Sequence, residues 1–435
     1  MAINTTTLLA LEELFSESIG DWLEFDTTTN ITTNTSIVST TLNQYDDGEN
    51  DHFNNWWVYI TEGNNVGVHR KISDYATSGG ILTVYGANLS AEAGAVTCRL
   101  HRYNRDTKVN AINRAIERIY PALHKKLDDM TLITDNALPD GSFESWSSTT
   151  ALTHYTASAI TFAQTSTGGL VRNGTYSVKA TAGATDDYYY ISSDSYPRLL
   201  DLMGRTINFK CWAYPEVADD TTIVIYTLQA DGTAQTLTST TSCPAGQWTL
   251  IELESQALND DLVEIQFRFY VATDTKYAYF DDARVIGRSI REYLLPDDFV
   301  LGHVSQVLVQ TSGYSDEPCD DLLPVHWDWQ NHSIYNDGTN VFLRLKEYNT
   351  SAHRIRLRGY KPLETLSADT DTITLEAHRI PLLIAQAKVI FWELEETPVA
   401  INDVARFQFK ANQAKNDLND LFPRLSMPKP AEKIR

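Results

Sequence analysis

The chain has 435 residues, is 42% hydrophobic and 11% aromatic, and carries a formal net charge of −22. That length exceeds one ordinary core and implies two or three domains, and the apolar content excludes a disordered chain. The charge excludes a protein that wraps nucleic acid over its whole surface or spreads on an anionic membrane, and no long apolar run is present to span a bilayer.

The opening MAINTTTLLALEELF has neither a basic start nor a long apolar segment, so no signal peptide is expected. Leu8, Leu11, Leu14 and Phe15 give a short helical pattern. From Thr27 to Leu100 the texture is that of strands, with Trp56–Ile60 before a Gly63-Asn64-Asn65 turn and Ile81–Tyr85 after Gly79-Gly80. Asp106 reads as an N-cap, and Val109, Ile112, Ile116, Ile119, Leu123 and Leu127 as one helix face running to about residue 130, with a kink near Tyr120 caused by Pro121.

At about Asn136 the composition turns Thr-, Ser-, Gly- and Tyr-rich. Alternating runs such as Ile207–Trp212, Ile223–Tyr226, Val263–Phe269 and Tyr277–Phe280 predict a β-sandwich over 136–288. Strands continue at Val304–Val309, Val341–Leu345 and Ile355–Tyr360. The helical period returns at Ile380, Leu383, Ile384, Ala387, Phe391 and Leu394, and a second stripe follows Thr397-Pro398. The tail from Pro423 reads as an extended arm.

These segments predict an α+β multidomain chain. Residues 1–135 hold a β element and a helix, 136–288 an inserted sandwich, 289–378 a β-rich segment, and 379–435 a helix hairpin and arm. Neither helical segment can bury its stripe alone, so the two are expected to form one helical core from which the sandwich protrudes. Two basic stretches stand out. Arg344, Lys346, Arg354, Arg356, Arg358 and Lys361 face Glu347 alone, and Arg424, Lys429, Lys433 and Arg435 face Glu432. Such patches on an acidic body suit contacts between subunits, and equally suit a solvated mixed surface. Cys98, Cys211, Cys243 and Cys319 form no C-x-x-C pair and read as free buried thiols.

No Walker, Rossmann, zincin or nucleophile-elbow motif occurs, and no two carboxylates are marked as a catalytic pair. His326 and His332 flank Trp327-Asp328-Trp329 at a spacing that fits no metal pattern and reads as a stabilised loop. A non-enzymatic protein is expected.

Three groups of residues carry resemblances. The run Trp57-Val58-Tyr59-Ile60-Thr61, with Gly67, Arg70, Ile72 and Asp74-Tyr75, resembles a β element of phage tail and neck proteins. Ala111–Ile116 with Ile119-Tyr120-Pro121, the segment Tyr293-Leu294-Leu295-Pro296-Asp297-Asp298-Phe299, and the C-terminal helix pair resemble the tail tubular protein A type of head-to-tail connector. That likeness implies a virion protein at the neck, assembled in the host cytoplasm. It would form a homo-oligomeric ring, a dodecamer in that family, between portal and tail, with DNA passing through it without sequence-specific contact and no membrane partner. Arg344, Arg354, Arg356, Arg358, Lys429 and Arg435 are the candidate assembly contacts.

Asp140–Trp146, Gly174–Lys179, Trp248 and Tyr279–Val285 resemble jelly-roll carbohydrate-binding modules of the xylanase-associated type. That resemblance implies that Glu144 and Asp282 help hold a structural calcium; as residues alone, both are equally surface carboxylates with no metal. Glycan recognition needs exposed aromatic faces, for which Trp146, Tyr155, Tyr188, Tyr189, Tyr190 and Tyr196 are the candidates. The alternative function is a tail or baseplate receptor-binding protein whose jelly roll binds host glycans. A polysaccharide-degrading enzyme with an accessory module is a third reading, short of a recognisable catalytic domain.

Overall fold

The computed structural model describes residues 5–311, 327–338, 340–346, 352–396 and 404–428. The chain divides into two compact units, 1–125 with 362–428, and 126–361 with 429–435.

Among the described residues of the first unit lie four α-helices: α1 (Leu8–Ile19), α2 (Arg105–Ile119), α3 (Ile380–Glu396) and α4 (Val404–Leu425). They share a core containing Leu11, Phe15, Ile112, Ile116, Leu383 and Phe391. Asn104, not Asp106, caps α2: its side chain accepts from the Asp106 N–H, and Asp106 sits in the first turn, where its charge favours the helix dipole. Beside the helices stands a six-stranded antiparallel sheet, in the order Leu23–Asp26, Thr97–His101, Trp57–Ile60, His69–Ala76, Ile81–Val84 and Ser36–Val38.

The expectation of an α+β chain organised on a helical core is corrected. Among the described residues, twenty-seven strands stand against five α-helical segments, one of them the four-residue turn Asp297–Val300, so sheets dominate. One reason is local. The helix expected to run to about residue 130 ends at Ile119, because Pro121 has no N–H to continue it. Residues Lys125–Ile133 then form a strand, in which Leu127 is a sheet residue rather than the next turn of a helical stripe.

In the second unit, ten strands make the sandwich: β1 (Thr156–Ser158), β2 (Thr161–Thr165), β3 (Ser177–Thr181), β4 (Asp187–Ser192), β5 (Thr206–Pro215), β6 (Thr221–Gln229), β7 (Ala234–Thr238), β8 (Thr249–Ala257), β9 (Leu262–Val271) and β10 (Tyr277–Ile286). They form two five-stranded antiparallel sheets, β1-β4-β9-β6-β7 and β2-β3-β10-β5-β8. Strict alternation places Ile265, Phe267, Phe269 and Val271 of β9 inward, against Phe209 of β5 and Phe280 of β10. Tyr189 stacks on Phe269 at 4.7 Å and 10° in the centre of this core.

The sandwich does not stand alone in its unit. Strands His303–Gln310, Arg354–Lys361, Lys125–Ile133 and Trp327–Trp329 form a four-stranded sheet, and Glu292–Leu294, Val341–Leu345 and His332–Asn336 a three-stranded one. Cys98, Cys211 and Cys243 are buried free thiols, and Cys319 lies outside the described residues. Among the described residues, no helix is long and apolar enough to cross a membrane.

Candidate functional site

The same alternation that fills the core builds an outer face on β4, β9 and β6. Cross-strand partners fall in rows: Tyr188–Tyr270–Thr222, Tyr190–Arg268–Val224, and Ser192–Gln266–Tyr226. Tyr188 stacks on Tyr270, with ring centroids 4.7 Å apart and 29° between planes, and lies 5.9 Å from Tyr190. The Arg268 guanidinium carbon sits 3.9 Å from the Tyr226 ring centre and 4.8 Å from that of Tyr188. Its Nε donates to Gln266 Oε1 at 2.7 Å and its Nη1 to the Tyr270 hydroxyl at 3.3 Å. The Gln266 amide in turn donates to Glu264. Tyrosine rings and hydrogen-bonding groups thus share one half-buried face on a rigid sheet.

Of the aromatic candidates named from sequence, only Tyr188 and Tyr190 lie on this face. Tyr189 is 0% exposed and Tyr155 6% exposed, so neither presents a ring to a ligand. Tyr155 donates its hydroxyl to the Asp140 carbonyl and packs on Phe143. Trp146 is half-buried against the core, with Nε1 donating to the Phe143 carbonyl at 2.7 Å. Tyr196 is paired to His154, away from the tyrosine rows. Tyr226, Gln266, Arg268 and Tyr270 were missed by the sequence reading. The signal for them was present: in Ile223–Tyr226 and Phe267–Tyr270 the residues between the core positions share one outward parity.

The opposite sheet also carries half-buried aromatics, Trp212, Tyr214, Trp248 and Tyr277, several of them engaged within the chain. Tyr279 is 8% exposed, Trp248 donates to the Gly169 carbonyl, and Arg172 lies over Trp212 at 4.1 Å.

The implied calcium can be tested against the residues present. Asp282 does not fit. Arg354 Nη2 and Arg284 Nη2 lie 2.7 and 3.1 Å from its Oδ2, and Arg354 Nη1 lies 3.3 Å from Oδ1. Burial alone would raise its pKa; the Arg354 and Arg284 guanidiniums overcome this and hold it below the ordinary range. Glu144 differs. Its Oε1 accepts the N–H groups of Thr175 and Tyr176, and a Cβ at Gly174, where φ is +80°, would meet that oxygen at 2.0 Å. Burial, opposed by those N–H bonds and reinforced by Asp140 and Asp281, raises the Glu144 pKa to about 8.

Asp281, one residue before Asp282, shares this turn: its Oδ2 accepts from Arg172 and Asn173 N–H at 2.6 and 3.0 Å, and burial drives its pKa well up. A bulge causes the swap. The register of β10 against β5 shifts between Lys210 and Trp212, and Asp282 has φ of 51°, so simple alternation does not apply to the pair. Among the described residues no group of three or more side-chain ligands gathers anywhere.

The cations named as assembly contacts are mostly engaged within the chain. Arg354 is 3% exposed and belongs to Asp282, so it presents no surface. Arg356 grips Asp128 with two bonds of 2.6 and 2.5 Å, and Arg358 reaches the same carboxylate at 3.3 Å. Arg344 pairs with Glu292, which Arg198 also contacts at 2.6 Å. Arg344, Glu292 and Arg198 are among the residues that line a 760 Å³ cavity, together with Leu138, Leu199, Ile290 and Leu295. Lys429 and Arg435 lie outside the described residues.

Neither a family model nor a curated protein matches this chain. Solved structures similar to it include the C-terminal family 22 carbohydrate-binding module of Clostridium thermocellum Xyn10B, at 15% identity, 35% of this chain, 95% of that one and a TM-score of 0.29. Another is the CBM22-1 xylan-binding domain of Paenibacillus barcinonensis Xyn10C, at 12% identity, 38% and 99% coverage and a TM-score of 0.28. A third is the enzymatically active domain of tailspike protein 4 from bacteriophage CBA120, at 14% identity, 35% and 22% coverage and a TM-score of 0.27. Likeness at this level leaves function to be argued from the face itself.

Proposed function

We propose that the chain is a glycan-binding protein, with an oligosaccharide seated across Tyr188, Tyr190 and Tyr270. The observation that carries this is the grouping of those half-buried rings with Gln266 and Arg268 on one sheet face. Aromatic rings pack on the C–H faces of a pyranose, while amide and guanidinium groups meet its hydroxyls. Binding rather than turnover is the reading. Glu264, the acid that β9 presents on this side, is engaged by Gln266, and the face offers stacking and hydrogen bonding.

On this reading the protein serves a tailed phage as a tail or baseplate receptor-binding component, recognising host glycans. The virion setting comes from the flanking segments' resemblance to phage neck proteins. The adaptor ring docked to a portal gains no support from the comparisons. A structural cation in the sandwich would be held by Glu144 and Asp281, and its charge would offset their burial.

The test is a glycan array probed with the full chain. Tyr188→Ala and Tyr270→Ala should each weaken binding about tenfold, or ~1.4 kcal/mol, with the melting temperature kept. An array without hits, or variants that bind as the wild type does, would refute the reading.

A further inference from the structure

We infer that the glycan taken by this face is acidic, with Arg268 receiving the carboxylate of a uronic or ulosonic acid residue. The inference rests on the glycan-binding reading and narrows its ligand class. Arg268 occupies the middle strand of the sheet, between Tyr190 and Val224 in register. Tyr226 and Tyr188 hold its guanidinium plane, which fixes the group before any ligand arrives. Its Nε and Nη1 hydrogen bonds go to neutral acceptors, Gln266 Oε1 and the Tyr270 hydroxyl. A guanidinium carries five N–H donors, so the rest of its edge is open to a ligand.

On the opposite sheet Lys179 lies over Tyr277 and Arg172 over Trp212, also without an ion pair among the described residues, whereas three other cations of the sandwich are paired with carboxylates. Lys210 lies between Glu252 and Glu254, Lys276 pairs with Glu216, and Arg284 with Asp282. Arg268 forms no ion pair among the described residues, in a chain whose net charge is −22. Glu264 stands on the same outward side, yet the Gln266 amide engages it. The face therefore presents a half-buried cation with no direct ion pair, flanked by rings, with Glu264 reached only through the Gln266 amide. A carboxylate fits that edge with two parallel N–H···O bonds. A neutral sugar would satisfy the rings and leave the charge uncompensated.

The experiment titrates the full chain with oligogalacturonate, oligosialate and a ulosonate-bearing oligosaccharide, each beside its carboxyl-reduced, neutral form. At least one acidic glycan should bind ten times or more tighter than its reduced form. That preference should shrink as salt rises from about 0.05 to about 0.5 M. Arg268→Gln should abolish the preference while leaving weak, Tyr188-dependent binding of the neutral form, and Arg268→Lys should retain part of it. Equal binding of acidic and reduced forms, or a preference that survives Arg268→Gln, overturns the acidic-glycan inference and leaves the glycan face standing. If Arg268→Gln fails to fold, the lysine variant and the salt series decide by the same criteria. Absence of binding to every form overturns the glycan reading and this inference together.

Discussion

At the scale of single residues, two neighbouring aspartates behave oppositely because their surroundings do. Asp282 is buried against Arg354 and Arg284, so removing Arg354 leaves that interior carboxylate with Arg284 alone. Arg354→Ala should therefore cost about 3–5 kcal/mol in a urea melt. Arg358→Ala, which removes an exposed partner of Asp128, should cost under about 1 kcal/mol.

Glu144 supplies a pH signature. Its folded pKa of about 8 lies above the ordinary 4.5, so between those values the folded chain keeps a proton that the unfolded chain has released. Stability from this group is present at low pH and is lost as pH rises towards 8. Urea midpoints taken with chelator at pH 5.5 and 8 should fall in the wild type and fall less in Glu144→Gln. A slope that the substitution leaves unchanged would show that Glu144 is not its source.

At the scale of elements, β4 and β9 each serve two surfaces at once. Tyr189→Ala opens a cavity where the ring stacks on Phe269, and should cost about 3–5 kcal/mol in thermal or urea unfolding. Its neighbour Tyr188→Ala should leave the melt nearly unchanged and act on glycan binding instead. This parity was only partly legible in the sequence. Alternation in Val263–Phe269 and Tyr277–Phe280 marks strands, and the strands are there. A Tyr-Tyr-Tyr run, by contrast, alternates nothing, so its inward member could not be told from its outward ones. The bulge at Asp282 was invisible for a similar reason, since an extra residue resets parity without a compositional mark. The strand Lys125–Ile133 was read as helix because Leu123 and Leu127 continue a four-residue spacing across Pro121.

At the scale of the whole molecule, the chain holds two separately cored units, with the first completed from both sides of the second in sequence. Within the first unit Lys125 Nζ lies 3.7 Å from Glu364 Oε1, so the two segments of that unit meet where the second unit leaves and returns. Replacing residues 126–361 by a short Gly-Ser linker should thus leave a folded remainder. Far-ultraviolet circular dichroism should then show helix and a cooperative melt, and a featureless melt would contradict this. The helices were legible from their stripes at Ile112–Ile119 and Ile380–Leu394. Their weight in the molecule was not: strands are legible at Trp56–Ile60, Ile81–Tyr85, Val304–Val309, Val341–Leu345 and Ile355–Tyr360, but Lys125–Ile133 carries a helical spacing and short strands such as Ser36–Val38 and Glu292–Leu294 carry no pattern.

A glycan on the tyrosine face of β4, β6 and β9 would shield its rings from solvent. Hydroxyl-radical footprinting of the full chain, with and without the best array ligand, tests it most directly. Protection is expected at Tyr188, Tyr190 and Tyr270, with Tyr214, Trp248 and Tyr277 of the opposite sheet unchanged. Protection confined to the opposite sheet, or lying outside the sandwich, would contradict it.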